Sequence, residues 1–90
     1  MEFTLSEFEK LVGTDFVVGD DGPVLTLAEA EADGQTGREG GAFTLLFHGP
    51  MDVQLAQGTF ALKGGGQEMS LFLVPVGPRG EHLRYEAVFN

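Results

Sequence analysis

The 90 residues have room for one core, and 42% apolar content with eight Phe separates the chain from disordered sequences of similar charge. Five Lys and Arg against fourteen Asp and Glu give a net charge of −9, which repels phosphate backbones and anionic lipid and argues against nucleic-acid and membrane-surface binding. Cysteine is absent, which excludes a disulfide framework, a thiol nucleophile and a thiolate metal site.

The first segment reads as a short helix. Leu5, Phe8, Leu11 and Val12 recur at spacings of three and four and form one apolar stripe. Thr4-Leu5-Ser6-Glu7 and Ser6-Glu7-Phe8-Glu9 both fit the capping box, so the start lies at Thr4 or Ser6, and Gly13 is a natural stop. Two turns are not stable alone in water, so the helix is expected to cover an open end of a sheet. No basic region precedes an apolar run behind Met1-Glu2, so no signal peptide is read there.

The period then changes. Phe16-Val17-Val18 is a short strand broken by the turn Gly19-Asp20-Asp21-Gly22-Pro23. Leu25 and Leu27 alternate with Thr26 in the next strand, which continues through Ala28, Ala30 and Ala32 with Glu29 and Glu31 between them. The Ala/Glu run has helical propensity, but its alternation behind a hairpin turn favours a strand. Asp33 to Gly41 is the long polar stretch, with four Gly in nine residues, and is expected to be a mobile loop or a segment that orders on binding.

Phe43, Leu45 and Phe47 alternate in a strand expected to end at His48-Gly49-Pro50, and Thr59 to Lys63 gives another with Phe60 and Leu62 facing inward. Gly64-Gly65-Gly66 reverses the chain. Met69–Val76 and Glu81–Phe89 then form a hairpin around a four-residue turn, Gly77-Pro78-Arg79-Gly80. In its second strand Leu83, Tyr85, Ala87 and Phe89 alternate with Arg84 and Glu86, so one face is buried and the other wet. The first strand is apolar on both faces, Leu71 and Leu73 on one and Phe72 and Val74 on the other. Its second face is therefore expected to lie under the helix or under another molecule. Pro75 cannot donate to a ladder and belongs at an edge or a bulge. The longest apolar stretch, Leu71 to Val76, falls far short of the roughly 20 residues a bilayer span needs.

These elements predict an all-β fold, a small antiparallel barrel or sandwich of about six strands with a short N-terminal capping helix, in a single domain over residues 1–90.

Few residues offer chemistry. His48 with Asp52 is the nearest approach to an acid/base pair, but only Thr44 and Thr59 stand near as nucleophiles, and a His before Gly-Pro at a strand end reads as a turn residue. Asp20-Asp21-Gly22 with Asp15 supplies hard oxygens yet lacks the ligand spacing and terminal Glu of a calcium loop, so it reads as a tight turn. Gly64-Gly65-Gly66 and Gly34 to Gly41 precede no helix that could cradle a phosphate. His82 and Lys63 read as solvated. No catalytic residue, metal or cofactor is therefore expected. The interaction candidates are Leu71, Phe72, Leu73 and Val74 on the double-sided strand, with Arg38 and Glu39 in the polar loop.

Several of these segments also work as a set. Phe8-Glu9-Lys10-Leu11-Val12-Gly13-Thr14, Phe43 through Pro50, Gln57-Gly58-Thr59-Phe60, Leu71 through Pro78 and Tyr85 through Asn90 resemble a family of small bacterial domains of unknown function. The likeness runs nearly end to end apart from Asp33 to Gly41 and implies no activity. It does imply association with phage-tail-collar or tail-fibre-like proteins. The expectation is a soluble, cytoplasmic, non-enzymatic structural or protein-interaction module, with a protein partner or self-association and no nucleic acid, membrane or small molecule. The alternative is a small ligand-binding barrel with a pocket at its open end lined by Phe and Leu.

Overall fold

The computed structural model describes residues 4–32 and 42–89. The polar stretch Asp33 to Gly41, with Arg38 and Glu39, lies outside the described residues, so the expectations placed there have no structural counterpart.

One helix, α1 (Leu5–Glu9), precedes six strands: β1 (Asp15–Val18), β2 (Val24–Ala32), β3 (Phe43–Pro50), β4 (Gly58–Gly64), β5 (Gln67–Arg79) and β6 (His82–Phe89). The strands pair antiparallel in the order β1-β2-β3-β6-β5-β4, as the all-β expectation of about six strands requires, and β4 returns to β1, so that of the barrel and the sandwich left open by the sequence the sheet closes into a ring. Closure runs through two pairs, Val17↔Lys63 and Val18↔Leu62, which give the terminal strands β1 and β4 of the sheet a partner in each other.

Thr4 caps α1, its hydroxyl accepting from the Glu7 N–H at 3.2 Å. The helix stops at Glu9, earlier than the apolar stripe indicated. Tight i→i+3 bonds, Leu11 N–H to Phe8 O at 2.9 Å and Thr14 N–H to Leu11 O at 2.9 Å, wind the chain down to Gly13. Gly13, at φ 93°, turns its N–H to the carbonyl of Leu27 at 2.7 Å, and the backbone has joined the sheet. Val12 therefore falls off the stripe and is 45% exposed. Phe8 carries the helix's contribution: it is fully buried and its ring packs 5.9 Å from Phe43 and 5.5 Å from Phe89. The helix plugs one end of the barrel.

The core is built of inward positions from every strand, among them Phe16, Leu25, Leu27, Leu45, Phe47, Leu62, Leu71, Leu73 and Tyr85. In β2 the inward set changes parity, from Leu25 and Leu27 to Ala30 and Ala32. A bulge at Ala28, between Leu27↔Phe47 and Glu29↔Leu46, absorbs the extra residue. Without it, strict alternation from Leu27 would turn Glu29 and Glu31 inward.

β5 bends around the barrel. Its first half pairs with β4 as far as Leu73↔Gly58, and its second half with β6 from Val74↔Glu86 onward. A second bulge follows Pro75, where Val76 is extra between Pro75↔Tyr85 and Gly77↔Arg84, so of the two places open to this proline the bulge is the one occupied. The hairpin turn differs from expectation. The ladder runs on through Pro78↔Leu83 and Arg79↔His82, leaving a two-residue turn, Gly80-Glu81, rather than four residues from Gly77. Gly80 is at φ 62° and Glu81 is not at positive φ, the pattern of a type II′ turn. Between β4 and β5 the turn is Gly65-Gly66, with both residues at positive φ as a type I′ turn requires.

Of the two covers expected for the second face of the Met69–Val76 strand, the helix is not the one found. Met69, Leu71 and Leu73 fill the barrel, while Ser70 and Phe72 face water and Val74 is half-buried. The helix is engaged against β2 and the barrel end, and Phe72 remains 51% exposed.

Candidate functional site

His48 does not sit in a turn. It lies inside β3, which runs to Pro50, and pairs with Thr26 of β2 on one side and Arg84 of β6 on the other. The misleading signal is Gly49. A Cβ there would stand 2.6 Å from Leu25 Cδ2 and 3.2 Å from the Tyr85 ring, so the glycine makes room in the core and does not reverse the chain.

Because β3 alternates, His48 and Pro50 point outward while Phe47 and Gly49 point inward. The same alternation puts Val24 and Thr26 on the outside of β2, and His82 and Arg84 on the outside of β6. Register then aligns them in two rows across the wall. One runs Thr26, His48, Arg84, Gly77; the other includes Pro50, His82 and Arg79. Between the rows the rings of His48 and His82 stack at 5.0 Å, 14° from parallel. Val24, Thr26, His48, Gly49, Pro50 and His82 line an open hollow of about 450 Å³.

The neighbours of the hollow have assigned tasks. Thr26 Oγ1 donates to Asp15 Oδ1 at 2.7 Å, which uses its proton. Arg84 reaches across to β5, donating to the carbonyls of Val76 and Gly77 at 3.4 Å, and so covers the backbone opened by the bulge. Among the described residues, no hydrogen bond engages either imidazole. The His48 pKa is pushed below its ordinary value, first by burial and then by His82, with Arg84 and Arg79 adding to the depression and Glu29 opposing it.

The other candidates fall elsewhere. Leu71 and Leu73 are turned into the core, which leaves Phe72 and Val74 as the described members of the interaction set open to a partner. Asp52 lies in the exposed turn after β3. Asp20 is paired with Lys63 at 2.9 Å, which holds its carboxyl below the usual range and raises the lysine. Lys63 is thus an ion-pairing residue, with Glu68 also at 3.9 Å, and not merely solvated. Sequence reasoning missed the partnership of His48 with His82 and Arg84. The signal present was that both of the chain's histidines stand at outward positions of strands, but strand register is needed to make them neighbours.

Of the rings and side chains expected to line an inner pocket, Phe8, Phe16, Phe47 and Leu73 are fully buried. Among the described residues no helix is long and apolar enough to cross a membrane, and no group of three or more His, Asp or Glu side chains could hold a metal ion. A family model described as a domain of unknown function, DUF6916, matches residues 3–89. The chain belongs to that family. No curated protein and no solved structure matches it.

Proposed function

We propose that the domain is a non-enzymatic, cytoplasmic protein-interaction module that works as a structural accessory. The observation that carries this reading is Phe72. Of the described phenylalanines it alone is counted among the exposed large hydrophobics, at 51%, and it sits on a strand paired on both sides of the bend, so its position is fixed. Covering the exposed part of the ring would contribute about 1–2 kcal/mol to an interface. Half-buried Val74 on the same strand face extends the patch. A rigid aromatic anchor of this kind suits a protein partner with a complementary apolar recess. The likeness to bacterial domains associated with tail-collar and tail-fibre-like proteins makes subunits of a phage-tail-like particle the first partner class to test.

The experiment is affinity purification of the tagged protein from its native host, with Phe72→Ser and Phe72→Leu in parallel and circular dichroism to verify folding. A structural protein recovered at constant stoichiometry by the natural chain and by Phe72→Leu, but lost by folded Phe72→Ser, is the expected result. Recovery unaffected by Phe72→Ser, or a natural chain that purifies alone, overturns the reading. A second reading, ligand binding, is favoured by the outer hollow at His48 and His82.

A further inference from the structure

We infer that the hollow between β2, β3 and β6 is a carboxylate-binding site, and that the group it takes is an acidic side chain of a protein segment. The inference stands on where the positive charge of this chain has been gathered. The sequence holds five Lys and Arg and two His; Arg79, Arg84 and both histidines meet on one stretch of wall in a molecule whose net charge is −9. The two imidazoles line the hollow without a hydrogen-bond partner among the described residues, so each can present a ring N–H to an acceptor. Arg84 is held against β5 by two long bonds and Arg79 lies beside His82, so both contribute charge at the rim. Val24, 45% exposed, and Pro50 supply an apolar wall against which the methylenes of a Glu or Asp side chain can pack.

The surroundings also select against other anions. Glu29 acts on His48, and Asp15 is anchored beyond Thr26, so the site already feels two carboxylates. With the long-range field negative as well, a doubly charged phosphate is opposed more strongly than a single carboxylate carried by a peptide of low net charge. Binding couples to protonation: burial, His82 and the two arginines push the His48 pKa below its ordinary value, and a carboxylate placed beside it pushes it back up. Affinity therefore rises as pH falls through the range where His48 takes up its proton.

The test is an NMR titration of the full chain with a capped tetrapeptide, Ac-Val-Glu-Pro-Val-NH2, following the ring C–H signals of His48 and His82 at pH 7.5 and pH 5.5. The arms are the Gln analogue of the peptide, inorganic phosphate, and the protein carrying His82→Gln, an exposed position where folding is not at risk. Expected are saturable shifts of both rings with the Glu peptide, about tenfold weaker binding of the Gln analogue and to His82→Gln, and tighter binding at the lower pH. Equal binding of the Gln analogue, preferential binding of phosphate, or rings that do not respond to the Glu peptide at either pH overturns the inference. The outcome is independent of Phe72, so this site and the apolar patch are tested separately.

Discussion

Replacing Tyr85 by Phe isolates one contact that holds an irregular segment to the barrel. Residues 51–57 connect β3 to β4 with little regular structure, and Leu55 from that segment packs against the core. Tyr85 is fully buried, and its hydroxyl oxygen accepts from the Leu55 N–H at 3.0 Å. The substitution keeps the ring that fills the space beside Gly49 and removes only this acceptor. A net hydrogen bond contributes about 1 kcal/mol, and an orphaned N–H raises the total toward about 3 kcal/mol when water is excluded. The bond is only part-buried, so water can partly replace the lost partner and the expected loss is about 1–2 kcal/mol. For a domain of this size that corresponds to a fall in Tm of roughly 4–16 °C. Melting followed by far-ultraviolet circular dichroism measures it, since the chain's single Tyr, its fluorescent reporter in the absence of Trp, is the residue removed. Amide exchange at Leu55 should accelerate more than exchange in β3 or β6. A Tm within experimental error of the natural protein, with Leu55 exchange unchanged, would refute the reasoning.

Phe8→Ala should cost about 3–5 kcal/mol, because it empties a fully buried site bordered by Phe43 and Phe89 and releases a helix too short to persist alone; urea unfolding with a loss below about 1 kcal/mol would contradict the plug assigned to α1. The His48 pKa is depressed in the folded state, so its contribution to stability is fully present above its ordinary value of 6.5 and is lost as pH falls from there toward the folded-state pKa. Chemical denaturation of the natural chain and of His48→Gln between pH 7.5 and 5 should show a shallower decline in the variant, and identical slopes would refute the assignment. Below that window the Asp20–Lys63 pair adds a separate decline as Asp20 protonates below 3.8, which Lys63→Ala should reduce and added salt should blunt.

Local chemistry determined much of this protein before any strand found its neighbour. The capping box at Thr4 or Ser6, the period-two runs in β3 and β6, the glycine reversal within Gly64-Gly65-Gly66 and the proline that must sit at an edge or bulge are all short-range signals, legible because dihedral preference and side-chain alternation act within a few residues. Where sequence reading failed, a long-range contact had overruled a local preference. Gly49-Pro50 has the composition of a turn but remains in strand because Tyr85, far along the chain, needs the space a side chain would fill. Gly77-Pro78 likewise stays in the ladder, since pairing with Arg84 and Leu83 outweighs the turn propensity of the dipeptide. The apolar outer side of β5 could be read as apolar but not as uncovered, because that depended on the helix docking at the barrel end through Phe8. The hollow was least legible of all. His48 and His82 are 34 positions apart by subtraction of their numbers, and only the β3–β6 register of the closed ring stacks them and draws Arg84 and Arg79 to their side. Alternation tells which way a side chain points; which side chains then become neighbours is set by register and closure, and these are properties of the whole ring.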